Sequence, residues 1–165
     1  MFSIKMLSTL VFAVLAIGVT ASPAPNGKNI KTTATSDIIN PTCTDGIPAS
    51  KQRESIYPID NYTLILPEPN MTSYQIAQYW YDAHYVSGPH IMSSTHGSDP
   101  YGPFKCQYIC NANSNCTSFF VSYENPDTEQ EHMNCACFNG MIDAYVFEPA
   151  EGNIGGGGYD KLCSN

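Results

Sequence analysis

Two hydrophobic periods alternate along this chain, and the switch between them is sharpest from Cys106 to Cys137. Cys106 and Cys110 stand four apart, so on a helix they share one face, and residues 104–111 read as a short helix. Residues 117–123 (TSFFVSY) are rich in aromatic and β-branched side chains and read as a strand. A helix that aims two sulfurs to one side, followed at once by a strand, makes a stapled unit. The rest of the domain is expected to be built around it.

The same patterning places further elements on either side. Residues 62–66 (YTLIL) predict a strand ending at Pro67. Residues 72–85 predict an extra, N-terminal helix: Thr72 and Gln75 form a capping box, and Ile76, Ala77, Trp80 and His84 share one face. Ser87-Gly88-Pro89 should end it. Residues 134–138 and 143–147 predict two short strands, with Asn139-Gly140 as a hairpin-type turn between them. Residues 90–103 read as a Gly- and Pro-rich loop and 124–134 as a solvated acidic loop. Residues 151–158 end in four glycines, which argues against a regular element there. Residues 159–163 should bring the chain back for a final staple.

The first residues change the picture of where the chain works. Residues 1–8 carry one charge, Lys5, an apolar run covers 10–19, and Val19-Thr20-Ala21 supplies small residues for cleavage. Residues 1–21 are therefore expected to be a signal peptide, too short in their apolar part for a span. Residues 22–42 read as a flexible Pro/Ser/Thr-rich leader, and 43–165 as one small domain. In an oxidising compartment the seven cysteines form a disulfide framework rather than a zinc site, and the odd count leaves one thiol free or bonded to another chain. Asn61, Asn70 and Asn115 each open an N-glycosylation sequon. Formal net charge is -8, and losing Lys5 takes it to about -9. Nucleic acid and anionic membrane surfaces are therefore poor partners, and no membrane insertion is expected, since binding them needs clustered Lys and Arg.

Candidate chemistry is sparse. His84, His90 and His96 recur every six residues with Met92 between the last two, a spacing that fits no established metal site. Asp127, Glu129 and Glu131 alternate like the start of a calcium loop, but the central glycine and closing glutamate are missing. No Gly-x-Ser-x-Gly elbow occurs, and no Lys-Ser/Thr follows the glycines at 155–158. No metal, cofactor or catalytic residue is assigned. The aromatics Tyr79, Tyr81, Tyr85 and Tyr101 are the candidates for a flat binding patch.

The stretch Cys106-x-x-x-Cys110, Cys116, Ser118-Phe119 and the later Cys137-Phe138-Asn139-Gly140 resembles the PAN/apple superfamily, most of all its small secreted fungal members. Gly158-Tyr159-Asp160-Lys161 is similar to the end of those domains. The resemblance covers residues 101–163 well and 43–100 poorly. It implies an α+β fold: a small disulfide-stapled antiparallel sheet with a helix packed across it. It also implies Cys106 bonded to Cys137 and Cys110 to Cys116, with an outer Cys43–Cys163 bridge and Cys135 left over. Cys135 and Cys137 share a strand face, so direction alone leaves either as the helix partner.

The function the resemblance implies is a secreted, non-catalytic module that recognises an extracellular protein or glycan at a cell surface or wall, with an effector-like role among the options. The alternative fold is an unrelated disulfide-stapled α+β domain. The alternative functions are a secreted hydrolase with an unrecognised site, and a structural wall or adhesion component cross-linked as a dimer through the odd cysteine.

Overall fold

A computed structural model of the chain describes residues 41–53, 56–93 and 101–164. The expected signal peptide, nearly all of the expected leader, and His96 lie outside the described residues. The elements in chain order are α1 (Ala49–Gln52), β1 (Tyr62–Ile65), β2 (Tyr74–Ile76), α2 (Gln78–His84), β3 (Tyr85–Ser93), α3 (Tyr101–Asn111), β4 (Ser118–Glu124), β5 (His132–Phe138), a 3-10 turn (Ala144–Val146), β6 (Phe147–Pro149) and β7 (Asn153–Lys161).

Five strands form one antiparallel sheet in the order β1-β7-β4-β5-β3, and β2 pairs with β6 beside it. This is a small disulfide-stapled α+β fold. The period of two divides the sheet into two faces. Phe119, Val121, Tyr123, Met133, Cys135 and Cys137 point to the face where Cys106 and Cys110 of α3 pack, together with Tyr62 and Tyr159. Phe120, Ala136 and Phe138 point the other way, to Tyr74, Ile76, Trp80, Val146 and Phe147.

The sulfurs lie mostly on the first face. The disulfides are Cys43–Cys163, Cys106–Cys135 and Cys110–Cys116. The helix partner of Cys106 is thus Cys135 rather than the expected Cys137. Cys110, one turn further along α3, is held instead by the local loop to Cys116, a separation of 6 residues. Cys137 stays a buried thiol beside that bond, and the sulfurs of Cys110, Cys116 and Cys137 all lie within 4.8 Å of one another. The odd cysteine is therefore Cys137, not Cys135, and at 0% exposure it offers no sulfur to a second chain.

Several boundaries differ from the patterning, each for a packing reason. Residues 72–85 are not one helix. Tyr74 and Ile76 are buried with Gln75 between them, and this alternation pairs as β2 against β6. The helix starts only after Ala77, and Gln75 donates to Glu148 Oε1 at 2.9 Å rather than closing a capping box. Ser87-Gly88-Pro89 lies inside β3, which runs on to Ser93 through part of the expected loop. Asn139-Gly140 makes no hairpin, because 144–146 form a 3-10 turn and β6 leaves for β2.

The acidic loop is not wholly solvated: Glu131 is buried, and its Oε2 accepts from the Asp127 N–H at 2.8 Å. The largest surprise is β7, where the glycine run forms a strand between β1 and β4. A Cβ at Gly155 would sit 2.4 Å from the Tyr74 ring, and one at Gly158 would sit 2.9 Å from Ile142. Glycine lets the lids over the second face press onto the strand itself.

One buried carboxyl anchors the turn after β5. Asp160, 3% exposed, accepts the Ile142 N–H at 2.9 Å. Burial pushes its carboxyl up to about 7, the Ile142 bond pulls against this, and Asp143 adds to the rise.

Candidate binding pocket

The second face of the sheet is apolar for only half its length. Along β4 the inward positions read Phe120, Ser122, Glu124, and along β5 they read Phe138, Ala136, Asn134, His132. The register sets Phe120 opposite Ala136, Ser122 opposite Asn134 and Glu124 opposite His132. The segment β2-α2 roofs the apolar half and stops there. What remains is a pocket of about 190 Å³, floored by β4 and β5, with Ile76, Gln78 and Tyr81 on one side and Pro89 of β3 on another.

Its polar groups are tied together. Asn134 Nδ2 donates to Glu124 Oε1, and Glu124 Oε2 lies 3.0 Å from His132 Nε2. A carboxylate only accepts, so the amide nitrogen must be the atom that faces it. That orientation commits Asn134 Oδ1 to the other side. The residue is 6% exposed and this oxygen has no hydrogen-bond partner. Among the described residues, Glu124 is the one charged side chain in the lining.

The aromatic wall is held from behind. Phe138, fully buried, meets Trp80 at 5.0 Å and Tyr81 at 5.2 Å between ring centroids. Tyr81 also stacks on Tyr85 at 5.4 Å. Burial first, then Tyr85, Asp82 and Cys137, push the Tyr81 hydroxyl up, so it keeps its proton.

The candidate aromatics therefore separate. Tyr81 and Tyr85 come together at the pocket side, with Tyr79 exposed on the same helix. Tyr101 belongs to a different group on α3, where it meets Tyr57 and Phe104, with Lys105 Nζ 4.5 Å from its ring. No single four-tyrosine patch forms. The sequence named none of Ser122, Glu124 or Asn134. The signal was present as polar residues at the inward positions of two otherwise apolar strands.

Other expected sites fall in ordinary surroundings. His84 Nδ1 donates to the Trp80 carbonyl at 3.0 Å and its ring stacks on Trp80, so it braces α2. His90 lies on β3 with Nε2 3.2 Å from Ser87 Oγ. Asn61, Asn70 and Asn115 are all exposed, but Thr63 and Thr117 of the first and third sequons are buried, while Thr72 of the second is exposed. Among the described residues no helix is long and apolar enough to cross a membrane.

His132 beside Glu124, with Ser122 on the same face, has the residue types of a hydrolytic triad. The ring does not serve one: Nε2 is turned to Glu124 and Nδ1 lies 3.0 Å from the Gln130 carbonyl, so neither nitrogen faces a hydroxyl. No family model, curated protein or solved structure matches this chain.

Proposed function

We propose that this chain is an extracellular recognition module of the apple-like type, and that its pocket takes a neutral, hydroxyl-rich ligand: one ring of a saccharide. The observation that carries this reading is the buried, unpaired Asn134 Oδ1 in a pocket whose one charged group is an acceptor. Acceptors of this kind call for a ligand rich in donors, and among the described residues the lining holds no Lys, Arg or His, which disfavours phosphate or uronate. An unmet buried amide oxygen costs about 1–3 kcal/mol, which a ligand hydroxyl recovers once the Asn134 side chain turns to present it. Tyr81 supplies a ring face for the apolar side of a sugar and a hydroxyl that both donates and accepts. At about 190 Å³ the pocket is below the usual drug-sized range, which fits one ring rather than an extended ligand. The two turned-away nitrogens of His132 set the hydrolase reading behind this one.

The test is calorimetric and NMR titration of the full chain with neutral hexoses and their oligomers, beside a simple alkylammonium probe. The expected result is saccharide binding that shifts Asn134 and Tyr81 resonances and falls at least about tenfold in Tyr81→Ala. Binding of the alkylammonium alone would move the ligand class to cations at Glu124. No shift with any saccharide overturns the proposal.

A further inference from the structure

Cys137 has two unusual neighbours. Its thiol is buried within 4.8 Å of both sulfurs of the Cys110–Cys116 bond. Burial pushes its thiol up and a hydrogen bond with Ser87 pulls against this; Ser87 faces it across β3 and β5, and Ser87 Oγ lies 3.2 Å from His90 Nε2. A thiol at a disulfide with a route for its proton has the parts of a thiol–disulfide exchange reaction.

The geometry also supplies a product. Cys106–Cys135 already forms one rung between α3 and β5, with 5.8 Å between its Cα atoms. Four residues along a helix advance about 6 Å, and two along a strand advance about 7 Å. The next positions, Cys110 and Cys137, are therefore in step for a second rung. We propose that Cys110, Cys116 and Cys137 are an intramolecular exchange centre, and that the chain interconverts between a Cys110–Cys116 loop bond and a Cys110–Cys137 rung.

The step balances without an outside reagent. Ser87 takes the Cys137 proton as it passes its own to His90 Nε2. The Cys137 thiolate attacks Cys110 Sγ, the Cys110–Cys137 bond forms, and the Cys110–Cys116 bond breaks. The electron pair leaves on Cys116 Sγ, which takes up a proton as His90 gives one back to solvent. Cys116 Sγ lies 3.2 Å from the Ser118 carbonyl, so the new thiol finds an acceptor in place. One disulfide and one thiol enter, and one of each leaves. The exchange would release the loop between α3 and β4 and lock the helix end to the sheet.

The experiment is acid-quenched alkylation and non-reducing peptide mapping of the full chain over time, in wild type, Cys116→Ser and His90→Ala. The expected wild-type result is a growing fraction with Cys116 alkylated and Cys110 bonded to Cys137. Cys116→Ser should form that rung quantitatively on oxidative folding. His90→Ala should reach the wild-type ratio several-fold more slowly. Alkylation confined to Cys137 at all times in wild type overturns the proposal, and that time course decides even where Cys116→Ser does not fold. An unchanged rate in His90→Ala removes the Ser87–His90 route.

Discussion

The two faces of the sheet solve the same problem in different ways. The first is closed along its length by α3 and carries two of the three disulfides at its helix. The second is roofed by short pieces, β2, α2 and β6, and carries none. There the cohesion comes from rings: Trp80 and Tyr81 on Phe138, and Tyr74 on Phe120 and Phe147. A covalent staple fixes a long helix to a small core at little cost in buried area. Aromatic packing needs no pairing partner, and it can stop partway. Where it stops, the polar floor of the pocket begins.

The sharpest way to break this comparison is to remove the ring at its centre. Phe138→Ala, fully buried under Trp80 and Tyr81, should cost about 3–5 kcal/mol and abolish ligand binding with it. Denaturant unfolding measures the first, and retained stability would mean the second face is not held by that cluster. On the first face, Cys106→Ala with Cys135→Ala should cost about 2–4 kcal/mol, and Cys137→Ala clearly less. Equal melting temperatures for the two would show that the staple does not hold α3.

Asp160 tests the edge of the second face by pH. Its folded value of about 7 lies above the ordinary carboxylate value of 3.8, so the native state holds its proton more tightly than the unfolded one. Stability is then fullest below about pH 4 as far as this group is concerned, and is lost as pH rises to about 7. Asp160→Asn keeps an acceptor for the Ile142 N–H and removes the charge. It should raise stability by on the order of 2 kcal/mol at pH 8 and by nothing at pH 4. A gain that is equal at both values would contradict the burial argument. Smallest in stability is Asn134→Ala, expected within about 1 kcal/mol of wild type because it removes an unpaired oxygen along with a bond to Glu124. Its effect should appear in binding instead.

The first face was largely legible in the sequence and the second was not. Cys106 and Cys110 four apart, and Phe119, Val121 and Tyr123 two apart, are local signals, and they marked α3 and β4 correctly. The partner of Cys106 depends on how far α3 slides along β5, which no local spacing encodes. β2 looked helical because Ile76, Ala77 and Trp80 fit a helical face; its pairing with β6, more than 70 residues away, decided otherwise. β7 looked like a loop because glycine is a poor strand former alone, and its reason for being there is the press of Tyr74 and Ile142. The pocket was invisible for the same reason: Asn134, Glu124 and Tyr81 meet only through the sheet.

The outermost bond has a mechanical meaning. Cys43 and Cys163 lie 4.9 Å apart at Cα, and Thr44 is laced to the last strand's exit by hydrogen bonds to Lys161 and Cys163. Tension applied outside this clamp would travel through a single sulfur–sulfur link. The 120-residue span inside it, sheet and pocket included, would carry no load while the link is intact. Pulled from both sides of the clamp, the fold would keep its sheet, and reduction of one bond would put the sheet itself under strain.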